Sequence, residues 1–200
     1  MIKKRFLYIS LLSILGLGIA ALIAYYDISK EKNSPKTHVI ANNFGGPFTL
    51  TNHLGKDVTE KNFTGQYRLI YFGFTYCPAI CPTELQKITA SLKGLGNKAD
   101  SIKPIFITID PERDTVDVMR EYVALFHPNF SGLTGTLEQI KQAADAYKIY
   151  YAKAKDDTMQ EYTMDHSSFI YFIDPEDNLL RIFKTEDTSS DIINFINSTL

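Results

Sequence analysis

The stretch Tyr67-Arg68-Leu69-Ile70-Tyr71-Phe72-Gly73-Phe74 is apolar and aromatic almost throughout, and a single charge interrupts it. A strand with one wet face alternates polar and apolar positions, whereas a strand covered on both faces does not. The segment therefore predicts an interior strand of a sheet packed on two sides. Its neighbours fall into order around it. Phe48, Leu50, Leu54 and Val58 flank the turn-prone Asn52-His53-Leu54-Gly55-Lys56-Asp57, which predicts an N-terminal β-hairpin. A helix is expected over Thr83 to Lys93, with Leu85, Ile88, Thr89 and Leu92 on one side, and a second buried strand over Ile105 to Ile109. Val116, Met119, Val123 and Phe126 mark a helix over Thr115 to Phe126, and Leu137, Ile140 and Ala144 another over Thr136 to Tyr147. Phe169 to Ile173 and Leu179 to Phe183 read as strands joined by the turn Asp174 to Asn178, followed by a helix over Asp191 to Leu200. This order predicts an α/β domain whose sheet is covered on both faces. In such sheets sites form beyond the carboxyl ends of parallel strands.

The only two cysteines stand at such an end, in Tyr76-Cys77-Pro78-Ala79-Ile80-Cys81-Pro82. Four residues of helix advance about 6 Å, near the upper limit of about 6.8 Å between the Cα atoms of an unstrained disulfide. The pair can close as a disulfide or share an ion. Thiolate is a soft ligand that selects Cu(I), zinc or iron–sulfur clusters, and a helix amino-terminus lowers a thiol's pKa. Two inert buried thiols are the plain alternative, but such residues have no reason to sit between two prolines in a strand-to-helix turn. The helix can begin with Cys77 as cap and Pro78 first, or with Cys81 as cap and Pro82 first. A hairpin, then strand, dithiol and helix, then a strand hairpin and helix, resembles the thioredoxin fold.

Ahead of this domain, expected over residues 44–200, Lys3, Lys4 and Arg5 precede an uncharged run from Phe6 to Tyr26. That run meets the roughly 20 apolar residues a membrane-spanning helix needs. A cleaved signal peptide has a shorter apolar core of about 7 to 15 residues and a small-x-small exit; Leu22-Ile23-Ala24 is a poor one. An uncleaved anchor over 6–26 is expected, with the basic start 1–5 in the cytoplasm and a polar tether over 27–43. Five residues are too few for an organelle transit peptide, which favours a bacterial inner membrane with the soluble domain facing the periplasm. The chain carries 21 basic and 23 acidic residues. With three basic residues on the far side of the span, the exposed part is distinctly acidic, which argues against nucleic acid as a partner.

Two thiolates holding copper want a further donor, and imidazole is the natural one. His38 lies in the tether, His53 in the hairpin turn and His127 beside Pro128; each reads as a solvated surface residue. His166 stands in Met164-Asp165-His166-Ser167-Ser168, just ahead of the strand from Phe169, and is expected on a loop at one end of the sheet. The corresponding loop of thioredoxin-like folds usually carries a proline facing the dithiol, and this chain has none there. Asp165 either orients the imidazole or merely caps the loop, and Met159 and Met164 read as packing.

Gly45-Gly46-Pro47-Phe48-Thr49-Leu50, Tyr71 to Leu85 around the cysteines, Thr108-Ile109-Asp110-Pro111-Glu112-Arg113-Asp114-Thr115, Gly132-Leu133-Thr134-Gly135-Thr136 and Asp165-His166-Ser167-Ser168 occur in one order. Together they resemble the motifs of the Sco/SenC family of copper chaperones. The resemblance implies a membrane-anchored, thioredoxin-like protein that is not an enzyme. It would bind copper, as Cu(I) and as a candidate also Cu(II), and deliver it to the dinuclear copper site in subunit II of cytochrome c oxidase. A further copper donor protein would act upstream. It also implies Cys77, Cys81 and His166 as the ligands. Ala79 departs from the pattern, since many members carry Asp there. The stretch Asp110 to Thr115 has no evident chemical role beyond a helix entry capped by Asp114 or Thr115.

The alternative is a thiol-disulfide reductase in which Cys77 and Cys81 are the redox pair and His166 is expendable. A peroxidase is disfavoured, because the Pro-x-x-x-Thr-x-x-Cys pattern of peroxiredoxins is not met: Thr75 is two residues before Cys77 rather than three. A structural zinc site would need a fourth protein ligand.

Overall fold

The computed structural model describes residues 39–155 and 161–200, with residues 16, 18–23 and 25 of a separate N-terminal unit. The two units are Met1–Lys36 and Thr37–Leu200. Residues 16, 18–23 and 25 are helical, and among the described residues no helix is long and apolar enough to cross a membrane. The basic start 1–5, most of the anchor expected over 6–26 and the tether as far as residue 38 lie outside the described residues.

In the second unit, β1 (Thr49–Asn52) and β2 (Asp57–Thr59) form the expected hairpin, with Leu50 opposite Val58. Gly55 takes a φ of 77° in its turn, which glycine adopts without a Cβ clash. Then follow β3 (Tyr67–Gly73), α1 (Ile80–Leu95), β4 (Ile102–Thr108), α2 (Val116–Val123), β5 (Ser131–Thr134), α3 (Leu137–Ala146), β6 (Tyr151–Ala154), β7 (Thr163–His166), β8 (Ile170–Ile173), β9 (Leu179–Phe183) and α4 (Ser189–Thr199). The main sheet runs β2-β1-β5-β4-β3-β8-β9. Its three central strands are parallel, and the flanking pairs antiparallel. The chain joins this sheet early: Ile40 donates to the Leu179 carbonyl and Leu179 to that of Ala41, each at 2.7 Å.

Both faces of β3 are covered, as its composition requires. On one face Phe106, stacked on Tyr71, meets Tyr122 of α2, and Phe172 meets Phe195 of α4, which contacts α1. On the other, Phe72 packs against Tyr147 at the end of α3, while Phe44 bridges Tyr147 and Tyr171. Arg68, the single charge in the run, is 2% exposed. It donates to Asp177 Oδ1 at 2.6 Å and to the Asp174 carbonyl at 2.5 Å, both in the β8–β9 turn. Burial of a guanidinium is tolerated where such partners meet it.

Local chemistry sets the helix starts. Thr136 and Thr188 form capping boxes with Gln139 and Asp191, each satisfying first-turn donors. Helix α1 begins in neither of the two ways expected. Its cap is Ala79, with Ile80 first and Cys81 second. Pro82 therefore occupies the third position, where a backbone N–H would have no intrahelical partner, so its ring costs the helix no bond.

Strands β5, β6 and β7 were not expected. They are four residues each, and none is an apolar run bounded by turn residues of the kind that marks a strand. β6 and β7 pair only with each other, Tyr151 opposite His166, outside the main sheet. His166 thus ends a strand rather than lying on a loop. At the carboxyl edge of the sheet, Ile109 N–H donates to the Gly73 carbonyl at 2.8 Å. This bond holds the dithiol turn after β3 beside the turn after β4.

Candidate metal centre

Cys77 leaves β3 on a short turn, its N–H donating to the Phe74 carbonyl at 3.4 Å. Its sulfur lies at the amino-terminus of α1 and accepts from the Cys81 N–H at 3.4 Å. That neighbourhood, with the Cys81 thiol first and the N–H groups of Cys81, Ala79 and Ile80 after it, pulls the Cys77 thiol down to about 5. Cys81 moves the other way: the hydrogen bond with Cys77 and complete burial push its pKa up. The two thiols are free of a disulfide and chemically unequal. Tyr71, at the base of the site, donates its hydroxyl to Cys81 Sγ at 3.7 Å.

His166 Nε2 stands 3.6 Å from Cys81 Sγ. Its Nδ1 lies 3.1 Å from the Ser167 carbonyl. A carbonyl only accepts, so Nδ1 carries the proton, and in the neutral ring Nε2 offers its lone pair toward the sulfurs. Burial lowers the pKa of the ring, which keeps it neutral in the range where metals bind. Edge-on contacts with Phe74, at 5.9 Å and 85°, and with Tyr71, at 6.2 Å and 76°, fix its plane. Asp165 is exposed, and the Ser167 carbonyl, not Asp165, holds the ring nitrogen.

A cavity of about 320 Å³ opens between Cys77 to Ile80 on one side and Thr163 to His166 on the other. Cys81 is fully buried and does not line it. Among the described residues no three His, Cys, Asp or Glu side chains are grouped so that they could hold a metal ion; Cys77, Cys81 and His166 would have to draw closer to share one. The donors suit a soft ion: two sulfurs and an imidazole favour Cu(I) or zinc over hard cations.

Two other histidines, His53 and His127, are used elsewhere. His53 is half-buried rather than solvated: its backbone N–H donates to the Gly132 carbonyl at 2.8 Å and its ring Nδ1 accepts from the Gly132 N–H at 3.2 Å. His127 Nδ1 accepts from the Asn129 N–H at 3.3 Å. His38 and Met159 lie outside the described residues.

The turn Asp110 to Thr115 does more than start α2. Thr115 is the cap, accepting from the Val118 N–H. Asp114 is fully buried and accepts from Thr75 N–H and Thr75 Oγ1, two residues before Cys77, and from Thr108 Oγ1. The motif was visible in the sequence, but this role was not, because Thr75 lies 39 residues away along the chain.

Gly73 is required by the same crowding. A Cβ there would sit 2.8 Å from Cys81 Sγ and 2.9 Å from the Tyr71 ring, both of them buried. Gly73→Ala is expected to cost about 1–3 kcal/mol, the usual penalty of overpacking, and to displace Cys81. Denaturant unfolding of the reduced protein reads the loss; an unchanged midpoint would contradict it.

The depressed Cys77 pKa has a thermodynamic consequence. Between its folded value of about 5 and its ordinary value of 9.0, the unfolded thiol keeps a proton that the folded one has lost, so this group makes stability rise with pH. The contribution disappears as pH falls through about 5. Thermal unfolding of the reduced, metal-free protein should therefore show its margin over Cys77→Ser growing from pH 5 to pH 9. A constant margin would refute the shift.

Fold and site together define a thioredoxin-like domain that presents an unequal dithiol and an aligned imidazole at one sheet edge. The chain belongs to the SCO1/SenC family, whose model matches residues 36–200. It is 41% identical over 86% of its length to "Protein SCO1 homolog 1, mitochondrial" of Arabidopsis thaliana, spanning 55% of that protein. To the "SCO2-like protein" of Rickettsia felis it is 39% identical over 96% of this chain and 95% of that one. The chain thus spans about half the length of the plant relative and nearly all of the bacterial one. Among solved structures, Arabidopsis thaliana ScoI with copper bound has 41% identity and a TM-score of 0.72, over 76% of this chain and 95% of that one. BsSco has 27% identity and a TM-score of 0.62, over 80% and 95% of the two chains; it is described as having a disulfide switch and as a member of the Sco family of cytochrome c oxidase assembly proteins.

Proposed function

We propose that this protein is a copper chaperone that holds copper through Cys77, Cys81 and His166 and delivers it to the dinuclear copper site in subunit II of cytochrome c oxidase. The observation that carries the reading is the His166 ring. Its Nδ1 is committed to the Ser167 carbonyl, and its Nε2 stands 3.6 Å from Cys81 Sγ. A relative solved with copper bound and another described among oxidase assembly proteins support the choice of ion and acceptor. The apolar run 6–26 serves as the anchor and 27–43 as the tether in this reading. The domain from residue 44 onward then faces the periplasm of a bacterial inner membrane. Release follows from ligand exchange: the cavity opens between the exposed Pro78 and Asp165, where an acceptor thiolate or imidazole can enter, and each new bond replaces one to Cys77 or His166.

The test is stoichiometric binding of Cu(I) by the reduced protein, followed by transfer to the copper-free soluble domain of an oxidase subunit II. One bound ion and its appearance on the acceptor are expected. Failure to bind would end the proposal.

The inequality of the two thiols favours a second reading, reduction of the acceptor's cysteine ligands. The Cys77 thiolate attacks one sulfur of an acceptor disulfide, forming a mixed disulfide and expelling a thiolate. Cys81 gives up its proton and attacks the Cys77 sulfur. This closes a Cys77–Cys81 disulfide and releases the second acceptor thiol, so two electrons have passed to the acceptor. His166→Ala separates the readings, because it removes a copper ligand and leaves this exchange intact.

A further inference from the structure

The imidazole and the dithiol arrive from elements that no strand ladder connects. The cysteines follow β3 of the main sheet, whereas His166 ends β7 in a separate hairpin. Three residues, 167–169, join β7 to β8, which pairs with β3 at Tyr71 and Ile170; that tether brings the hairpin near, and its packing against the sheet edge sets the remaining spacing. The turn after β4 reaches both sides. On the dithiol side, Asp114 grips Thr75 through its N–H and its hydroxyl. On the hairpin side stands Arg113. Its Nε donates to Asp110 Oδ2 at 2.5 Å, and its Nη1 donates to the Tyr162 carbonyl at 2.8 Å. Its guanidinium lies 3.7 Å from the centre of the Tyr162 ring, whose hydroxyl donates back to Asp110 Oδ1 at 2.8 Å.

Tyr162 immediately precedes β7. The same guanidinium is 4.8 Å from the ring of Tyr76, the residue before Cys77, and 5.9 Å from that of Phe74. Phe74 in turn holds the His166 ring edge-on. One planar cation therefore sits between the strand that presents the imidazole and the turn that presents the thiolates, and it contacts neither a sulfur nor the imidazole in a hydrogen bond. Asp110 is 1% exposed on its side chain and Arg113 only 19%, so the clamp is far better shielded than a surface ion pair, which contributes at most about 1 kcal/mol.

We propose that Arg113 is a positioning residue: through Tyr162 it sets the spacing between His166 and the Cys77–Cys81 pair, and so governs metal affinity without being a ligand. The inference rests on the reading of His166 as a ligand. Lysine is no substitute. Its single ammonium lacks the fork that reaches the Asp110 carboxylate and the Tyr162 carbonyl together while stacking flat on an aromatic ring.

The test compares the reduced full-length protein with Arg113→Ala, Arg113→Lys, His166→Ala and the double variant Arg113→Ala/His166→Ala. Cu(I) affinity is read by competition with a chromophoric Cu(I) chelator, and the sulfur-to-copper absorption band is recorded for the Cu(II) form. Residues that orient metal ligands typically contribute about tenfold to a hundredfold in affinity. Arg113→Ala is expected to lose that much and to move the band toward that of His166→Ala, with little recovery in Arg113→Lys. Once His166 is gone, Arg113 has nothing to position, so the double variant should bind within about twofold of His166→Ala. Thermal unfolding identifies a variant that fails to fold, in which case Arg113→Lys carries the comparison, with the same non-additivity tested against Arg113→Lys/His166→Ala. Unchanged affinity and spectrum in a folded Arg113 variant, or losses that add in full, would overturn the positioning role alone. Parental affinity in His166→Ala would overturn the ligand reading and the positioning role with it.

Discussion

His166→Ala is expected to weaken Cu(I) binding at least a hundredfold while leaving the protein folded and its dithiol competent for exchange. Residues that merely orient a ligand contribute about ten- to a hundredfold, and removal of the donor atom itself should exceed that range. The fold should survive because, apart from the contact of Nε2 with Cys81 Sγ, the ring is held by a local carbonyl and rests edge-on against Phe74 and Tyr71. The cavity it already borders limits what truncation adds. Chelator competition reads the affinity, and the kinetics of a thiol-disulfide exchange with a small disulfide read the dithiol. Binding as tight as the parent's would remove the imidazole from the site and leave only a redox pair.

Asp114→Ala should be the most destabilising of the substitutions considered, at about 3–5 kcal/mol. The carboxylate accepts from one backbone N–H and two hydroxyls, those of Thr75 and Thr108, and its residue is fully buried. Each buried donor left without a partner costs roughly 1–3 kcal/mol, and the hydroxyls can turn to recover part of it. Against a total stability of about 5–15 kcal/mol, that is a large fraction. Denaturant unfolding of the reduced protein at constant pH measures it. Asp114→Asn, which keeps one acceptor oxygen, should lose clearly less. A loss below about 1 kcal/mol for alanine would mean that the Thr75 turn is held by something else. Because Thr75 precedes Cys77 by two residues, the same variant should also loosen the dithiol turn and raise its rate of alkylation.

The frame of the domain was legible because it is written in short-range terms. The run over Tyr67 to Phe74, apolar and aromatic but for Arg68, reads as an interior strand, and β3 is covered on both faces. The helices from Val116 and Leu137, the first hairpin and the β8–β9 hairpin followed their periodicity and turn residues to within a few positions. The dithiol was equally visible, since only two cysteines exist and they flank a helix start. Where local rules competed, they misled: two prolines offered two helix starts, and the chain used neither, because Pro82 at the third position costs no hydrogen bond.

The sequence by itself thus determined the sheet, its covering helices and the pair of thiols at a strand end, since each depends on neighbours a few residues apart. Only the tertiary structure decided that His166 reaches the sulfurs and what the Asp110 to Thr115 turn does. Those outcomes depend on contacts spanning 39, 49 and 85 residues of chain, from Asp114 to Thr75, Arg113 to Tyr162 and His166 to Cys81. No periodicity in a one-dimensional string encodes a hydrogen bond between segments that meet only after the sheet has closed between them.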